Sequence, residues 1–359
     1  MAKTKILILA DPLDSQNAGI KRAIEGILHA LGDQGSELHI IVLRQKNEPI
    51  PNLKVITYPR IFNSTGFRFF KYFLYNPYIA RKLNVDVVFE PAHFGPFLLP
   101  AKMNRVTMIH DITPIKFPEL HRSFSAFIQR CFLGSILKKA DVIFTNSAHT
   151  TKDIQDTYNI PTEKTTTIPL GVGKSIQLTT DSSWLKSNGI TTPYLLSVGT
   201  IEPRKNYTQL IEIFNQLKPV QKELKLVIVG KWGWRYHDTT KALNSSPYRD
   251  DILVLDSVND EQLSALYTQC ALFIMTSIYE GFGLPVVEAV KCGAQCLLPY
   301  HSSLKEFNSQ NIEFYKDESP QEIAQIILDQ YFNTPKENKH GLPDQNLLSI
   351  YNFGHSAQV

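Results

Sequence analysis

Short runs of consecutive apolar residues, each closed by polar or turn-forming positions, recur along the whole chain. In the first half they fall at 5–10, 37–43, 54–58, 85–89, 106–109 and 142–145, and in the second at 194–198, 224–229, 252–255, 271–276 and 295–299. Runs that are apolar throughout, rather than alternating, are expected of strands covered on both faces, as in parallel sheets. Helix-length segments separate them, among them 18–31 and 207–217. Strand and helix alternation carried through twice predicts an α/β protein of two doubly wound, Rossmann-like domains facing a cleft. The pattern breaks at 168–173 and a polar stretch follows at 179–188, which puts a hinge near 169–180 and the domains at 1–172 and 173–359.

Chemistry gathers behind two of these strands. After the run at 271–276 come Glu280, Gly281, Phe282, Gly283, Leu284, Pro285 and Glu288, with Pro285 suited to the first position of a helix. Glycines allow close approach of the backbone, and the unpaired amides of a first helical turn favour an anion. Glu288 is expected in that first turn, facing the same cleft as Glu280. Alone, Glu288 reads equally as a complement to the helix dipole and Glu280 as a solvated loop charge. A second cluster shifts the balance: Gly199, Glu202, Pro203, Arg204, Lys205 and Asn206 follow the run at 194–198. Ligands of open α/β sheets bind beyond the carboxyl ends of strands, where arginine forks onto phosphate oxygens and lysine adds a point charge.

Taken together, 197–206 and 280–288 resemble the C-terminal half of family 4 retaining glycosyltransferases of the two-domain GT-B fold. Val106 to Pro114, with His110 and Asp111, and Thr145 to Thr150 extend the resemblance through the N-terminal half. The resemblance implies an acceptor domain followed by a donor domain, with a nucleotide-sugar between them. It puts Arg204 and Lys205 on the diphosphate, Glu288 on the ribose hydroxyls, and Glu280 with the amides of Phe282, Gly283 and Leu284 on the sugar. His110 corresponds to the family histidine near the anomeric centre and primary hydroxyl of the transferred sugar, and Gly19 to a glycine of a phosphate-approaching loop. The His110–Asp111 pair most resembles mannosyltransferases and favours a GDP-sugar. Glucose, galactose, rhamnose or N-acetylglucosamine on other nucleotides stay open. A histidine ending a strand is also often only hydrogen-bonded structure, with Asp111 as its partner or as a turn former.

No Asp-x-Asp pair occurs in the chain. Fixed cations and helix amides are therefore expected to neutralise the leaving diphosphate without a metal, and no resident cofactor is expected. The resemblance further implies retention, by a front-face route in which a departing phosphate oxygen helps deprotonate the acceptor. Residues 230–234, with Trp232 and Trp234, and 257–260 are expected to border the base or to pack. Two departures from the family pattern stand out: the first loop, 14–20, holds one glycine, and the segment Tyr351 to Gly354, like the start of the family's last helix, which commonly crosses back onto the N-terminal domain, is soon followed by Val359, so a shortened end is expected, with the final residues crossing back.

Composition narrows the remaining classes. The chain has 359 residues, 43% hydrophobic and 20% charged, which suits two globular cores and argues against extensive disorder. A formal net charge of +3 gives no reason to expect nucleic acid. Cys131, Cys270, Cys292 and Cys296 form neither a disulfide framework nor a metal motif, consistent with a cytoplasmic location. Asp11 and Pro12 end the first apolar run too early for a signal peptide or a membrane span. Aromatics mixed with cations at 67–75 and at Arg122, Phe124, Phe127, Ile128, Arg130 and Phe132 suit peripheral contact with the inner membrane surface, a core, or an acceptor site. The partners expected are thus a nucleotide-sugar donor and a glycan or lipid-linked saccharide acceptor. Alternatives are a nucleotide-sugar epimerase or hydrolase, and a non-catalytic partner in a glycan-assembly complex; a glycosidase carboxylate pair fits the phosphate-binding context poorly.

Overall fold

The computed structural model describes residues 3–14, 18–33, 38–63, 67–121, 123–333 and 342–356. Of the positions singled out above, Ser15, Gln16, Asn17, Glu37, Arg122 and Val359 lie outside these, as do the side chains of Ala18, Arg68 and Phe124. The described residues divide into two compact units, one within 1–118, 123–171 and 352–359, the other within 119–122 and 172–351.

The first unit is built on β1 (Lys5–Leu9), β2 (His39–Arg44), β3 (Lys54–Thr57), β4 (Val87–Glu90), β5 (Asn104–Ile109), β6 (Val142–Thr145) and β7 (Thr165–Thr167). Their order is β3-β2-β1-β4-β5-β6-β7, and every pairing is parallel. Leu7, Val42, Val88 and Ile109 are almost wholly buried, as strands covered on both faces require. The principal helices are α1 (Ala18–Asp33), α2 (Asn76–Leu83), α3 (Ser123–Lys139) and α4 (Ala148–Tyr158). Ser147 caps α4, its hydroxyl accepting from the Thr150 amide at 3.1 Å.

The second unit has β8 (Tyr194–Val198), β9 (Lys225–Val229), β10 (Ile252–Leu255), β11 (Leu272–Ile274), β12 (Cys296–Pro299) and β13 (Ile312–Tyr315), in the order β10-β9-β8-β11-β12-β13, again parallel throughout. Around it run α5 (Tyr207–Leu217), α6 (His237–Ser245), α7 (Asp260–Gln269), α8 (Leu284–Lys291) and α9 (Pro320–Ile327). Leu210, Ile213, Phe214 and Leu217 of α5 join Ile323 and Ile327 of α9 in one buried cluster over the sheet.

The two Rossmann-like units expected from the alternation are present. Strand order reverses between β1 and β4 in one sheet and between β8 and β11 in the other, which makes those carboxyl ends the natural ligand rims. Three expectations need correction. The helix after β11 begins at Leu284, so Pro285 is its second residue, because Gly283 takes the cap position at φ 103°. Glu288 consequently stands in the second turn, not the first. The run at 271–276 is also shorter as a strand, because the Thr276 hydroxyl turns aside to the carbonyl oxygens of Lys205 and Asn206, each at 3.0 Å.

The final short helix, α10 (Phe353–Ser356), belongs to the first unit. Its Phe353 ring sits where a β-carbon on Gly26 of α1 would come within 2.1 Å, so no larger residue fits at Gly26 with that ring in place. No helix among the described residues is long and apolar enough to cross a membrane.

Candidate active site

In the second unit, two loops at the β8/β11 switch point are tied together by their backbones. After β8 the chain makes a short 3-10 turn, Pro203–Lys205, and Asn206 at φ 51° turns it into α5. The Ile278 amide, beyond β11, donates to the Arg204 carbonyl at 2.8 Å. With the Thr276 bonds, this fixes the cationic turn against the loop that carries Glu280.

The charges then interlock. One guanidinium nitrogen of Arg204 donates to Glu280 Oε2 at 2.7 Å and to the Tyr279 carbonyl at 2.8 Å, while another meets Glu202 Oε1 at 2.7 Å. Lys205 Nζ donates to Glu280 Oε1 at 2.5 Å. Glu280 is 6% exposed, which replaces the picture of a solvated loop charge with that of a buried carboxylate gripped by two cations. Burial alone would raise its pKa, but Arg204 and Lys205 more than offset this and hold it at about 2. The carboxylate therefore stays ionised, and both cations are held in place before any ligand arrives.

Beside this cluster lies the N-terminus of α8. The Glu280 amide donates to Ser302 Oγ at 3.1 Å, and Ser303 Oγ donates to the carbonyls of Glu280 and Phe282, each at 2.9 Å. These bonds turn the loop so that the amides of Phe282, Gly283 and Leu284 have no hydrogen-bond acceptor among the described residues. A β-carbon on Gly283 would lie 2.7 Å from Leu304 and would need its left-handed backbone, so the turn requires glycine. Three donors at the positive end of a helix, beside two cations, are an arrangement that favours negative charge. Glu288, 3% exposed, lies farther along α8 and accepts from the Tyr267 hydroxyl at 3.0 Å.

Residues considered for a base pocket behave differently. Trp234 donates from its indole to the Leu120 carbonyl at 2.8 Å and so packs within this unit, whereas Trp232 is partly exposed against Tyr236. Asn259 is used in a capping box with Gln262 at the start of α7.

In the first unit, His110 follows β5 at the sheet's rim and is buried. Its Nε2 faces the Pro91 carbonyl at 2.8 Å and must therefore be the protonated nitrogen. Burial lowers its pKa, so the ring is neutral and Nδ1 is left as an acceptor. Asp111 forms a turn, accepting from the Thr113 amide at 2.9 Å. His93, buried and left-handed at φ 73°, accepts the His110 amide on its Nε2 at 2.7 Å, and burial likewise keeps it neutral. Nearby, burial raises the Glu90 carboxyl to about 8, against the amides of Ala92 and Phe94 that bond it. Gly19, the second residue of α1, is exposed with open space around it.

The structure thus joins Arg204, Lys205 and Glu280 with the amides of 282–284, and leaves Gly19 and His110 in the first unit. Sequence reading did not single out His93, Tyr267, Ser302 or Ser303 as parts of these sites. Only Ser302 and Ser303 left a signal, as a polar pair closely following a buried strand.

Comparison with known proteins agrees with this fold. The family described as Glycosyltransferase Family 4 matches residues 18–174, and Glycosyl transferases group 1 matches 182–340. Between them they take in nearly the whole chain, which belongs to the family 4 glycosyltransferases of the GT-B fold. Among its relatives, O-antigen chain mannosyltransferase B of Escherichia coli is 31% identical over 222 residues, 60% of this chain and 58% of that protein. The serotype-specific mannosyltransferase WbdA of Escherichia coli is 26% identical over 252 residues, 65% of this chain and 30% of the relative. The match therefore spans only part of each relative's length. Anabaena Alr3699/HepE, solved in complex with UDP and glucose, shares the fold with a TM-score of 0.75 at 19% identity, covering 99% of this chain and 97% of that one.

Proposed function

We propose that this chain transfers a hexose, mannose before others, from a nucleoside diphosphate sugar to a glycan or lipid-linked saccharide. The observation that carries the reading is one arrangement in the second unit: Arg204 and Lys205 held by Glu280, next to three amides at the start of α8 that have no acceptor among the described residues. Its chemistry suits a leaving diphosphate. Two carboxylates, Glu202 and Glu280, balance the two cations in the free protein, so an incoming diphosphate shares cations that are already in position. Arg204 and Lys205 are assigned to the phosphates, and the amides of Phe282, Gly283 and Leu284 to phosphate or sugar oxygens. Glu280 is assigned to a sugar hydroxyl, Glu288 to the ribose and Gly19 to the approach of its loop to phosphate. In the first unit, the neutral His110 is assigned to the transferred sugar, with Nδ1 as acceptor for a hydroxyl.

GDP is favoured as the nucleotide because the named relatives are mannosyltransferases. Fixed cations doing the work of a metal make the transfer metal-independent on this reading, and family membership supports retention. A cytoplasmic location is part of the same reading.

Labelled GDP-mannose, offered with and without a lipid-linked oligosaccharide ending in mannose, tests it. Release of GDP is expected only with the acceptor, with growth of the saccharide by one hexose, and EDTA should leave the rate unchanged. Release without acceptor would identify a hydrolase. No turnover with any nucleotide-sugar would favour a non-catalytic assembly partner.

A further inference from the structure

In the first unit, one histidine is held by another. The register between β4 and β5 closes at Glu90 and Thr107. Past it, the His93 amide donates to the Met108 carbonyl at 3.2 Å, whereas the amide of His110 donates to a side chain, His93 Nε2, at 2.7 Å. His110 is buried, and a buried amide needs a partner as much as a buried ring does. The same loop takes the ring as well, because the Pro91 carbonyl accepts from His110 Nε2 at 2.8 Å. One short segment thus grips His110 twice, by backbone and by side chain.

That segment is itself pinned. The Glu90 carboxyl accepts from the amides of Ala92 at 3.1 Å and Phe94 at 2.9 Å, so with the bond to Met108 every amide from 92 to 94 is engaged. His93 stands between them in the left-handed region at φ 73°, a conformation that persists where the surroundings enforce it. Its ring lies against that of His110, with centroids 5.1 Å apart and planes inclined by 33°.

The tautomers follow from these partners. A backbone N–H can only donate, so His93 must offer a bare Nε2 and carry its proton on Nδ1. A carbonyl can only accept, so His110 carries its proton on Nε2 and keeps Nδ1 bare. The two imidazoles are fixed in opposite tautomers, each by the backbone of the other's segment. Burial keeps both rings uncharged, which preserves the acceptor on each.

We infer that His93 is a positioning residue for hexose transfer: its Nε2 fixes the backbone of His110 at the end of β5 and so holds His110 Nδ1 towards a sugar hydroxyl. The inference rests on the assignment of His110 to the transferred sugar. A ring that only filled space could be replaced by an apolar side chain of similar size, and an acceptor that positions His110 could not.

Two replacements separate these roles. His93→Leu removes the acceptor, and His93→Gln supplies an amide oxygen that can stand where Nε2 stood; both meet the same left-handed backbone, so the difference between them reads the hydrogen bond. With GDP-mannose as donor, His93→Leu is expected to lower kcat roughly tenfold to hundredfold with the donor KM little changed, and His93→Gln to recover most of that loss. On a His110→Ala background His93→Leu should cost nothing further, since residues acting as one unit are not additive. Nitrogen-15 NMR of the ring nitrogens in the unaltered protein requires neither variant nor turnover, and should find the proton on Nδ1 of His93 and on Nε2 of His110. Equal activity of the leucine and glutamine variants, an additive loss on the His110→Ala background, or a proton on His93 Nε2 would overturn the proposal. A His110→Ala variant as active as the unaltered protein would instead overturn the reading of His110, and the role of His93 with it.

Discussion

Replacing Glu280 with glutamine is expected to lower transfer roughly 10²–10³-fold and to remove a pH dependence of stability that the unaltered protein shows in acid. Both consequences follow from the same contacts. The carboxylate binds Arg204 at 2.7 Å and Lys205 at 2.5 Å, and a neutral amide cannot hold two cations at those distances. Unfolded, this carboxyl titrates near 4.5; folded, it is held at about 2. A depressed folded pKa contributes stability that is complete above about 4.5 and is lost as pH falls towards about 2. At about 1.4 kcal/mol per pH unit the contribution is on the order of 3 kcal/mol. Chemical denaturation of the parent protein across that window should show the loss. The Glu280→Gln variant should begin less stable at neutral pH and lack this share of the slope. A variant with unchanged acid stability would place the charge of Glu280 elsewhere than in the cluster.

Removing the cations should be nearly as damaging, by a different route. Arg204→Ala and Lys205→Ala are each expected to lower kcat/KM by about 10²-fold or more, with most of the effect on productive use of the donor diphosphate. Each also leaves a buried carboxylate short of a partner, which costs about 3–5 kcal/mol when one side of a buried pair is deleted. Glu202 and Glu280 are 3% and 7% exposed at their side chains, so water does little to compensate. Pairing Lys205→Met with Glu280→Gln separates the two roles. The double variant should regain part of the stability lost by Lys205→Met alone, since partners in one network are not additive, while transfer stays low. Recovery of both together would mean that the cluster serves the fold only. Melting curves and steady-state kinetics on the same preparations read the two effects apart.

How much of this was legible in the sequence depended on burial. Central strands such as β8 and β9 are covered on both faces, so their apolar runs are continuous and their ends nearly coincide with the structure. The two strands that escaped notice, β7 and β13, each lie at a sheet edge. β7 is Thr165–Thr167, half-buried and polar, and β13 carries an exposed Glu313 in four residues, so neither makes an apolar run. The run at 85–89 begins two residues before β4 and ends one residue short of it; the end is short because Glu90 is a charged type that the pattern assigns outside a strand, although its carboxyl is buried and bonded by two amides.

The site was legible as a set of residue types but not as a set of contacts. Glycines before a helix and a cationic pair after a strand can be read along the chain, and the switch-point rule puts them on one rim. That Arg204 and Lys205 grip Glu280, 75 and more positions away, is decided by how two loops meet and leaves no local trace. The place of Glu288 illustrates the opposite limit: a shift of one residue in the start of α8, caused by Gly283 as its cap, moved the acid out of the first turn. His93 gave no signal at all. It lies in a loop of glycine, proline and aromatic residues, and only its left-handed backbone turns its ring to the His110 amide.

The measurement that bears most directly on the donor assignment is thermal unfolding of the purified chain, in EDTA, titrated with GDP, UDP, ADP and dTDP. A ligand at about 100 times its dissociation constant stabilises a one-site protein by roughly 2.7 kcal/mol, well within reach of a melting curve. The expected result is a saturable rise with one nucleotide, GDP foremost, that Lys205→Ala diminishes. A folded protein whose midpoint none of the four diphosphates moves would contradict a donor site at Arg204, Lys205 and the start of α8.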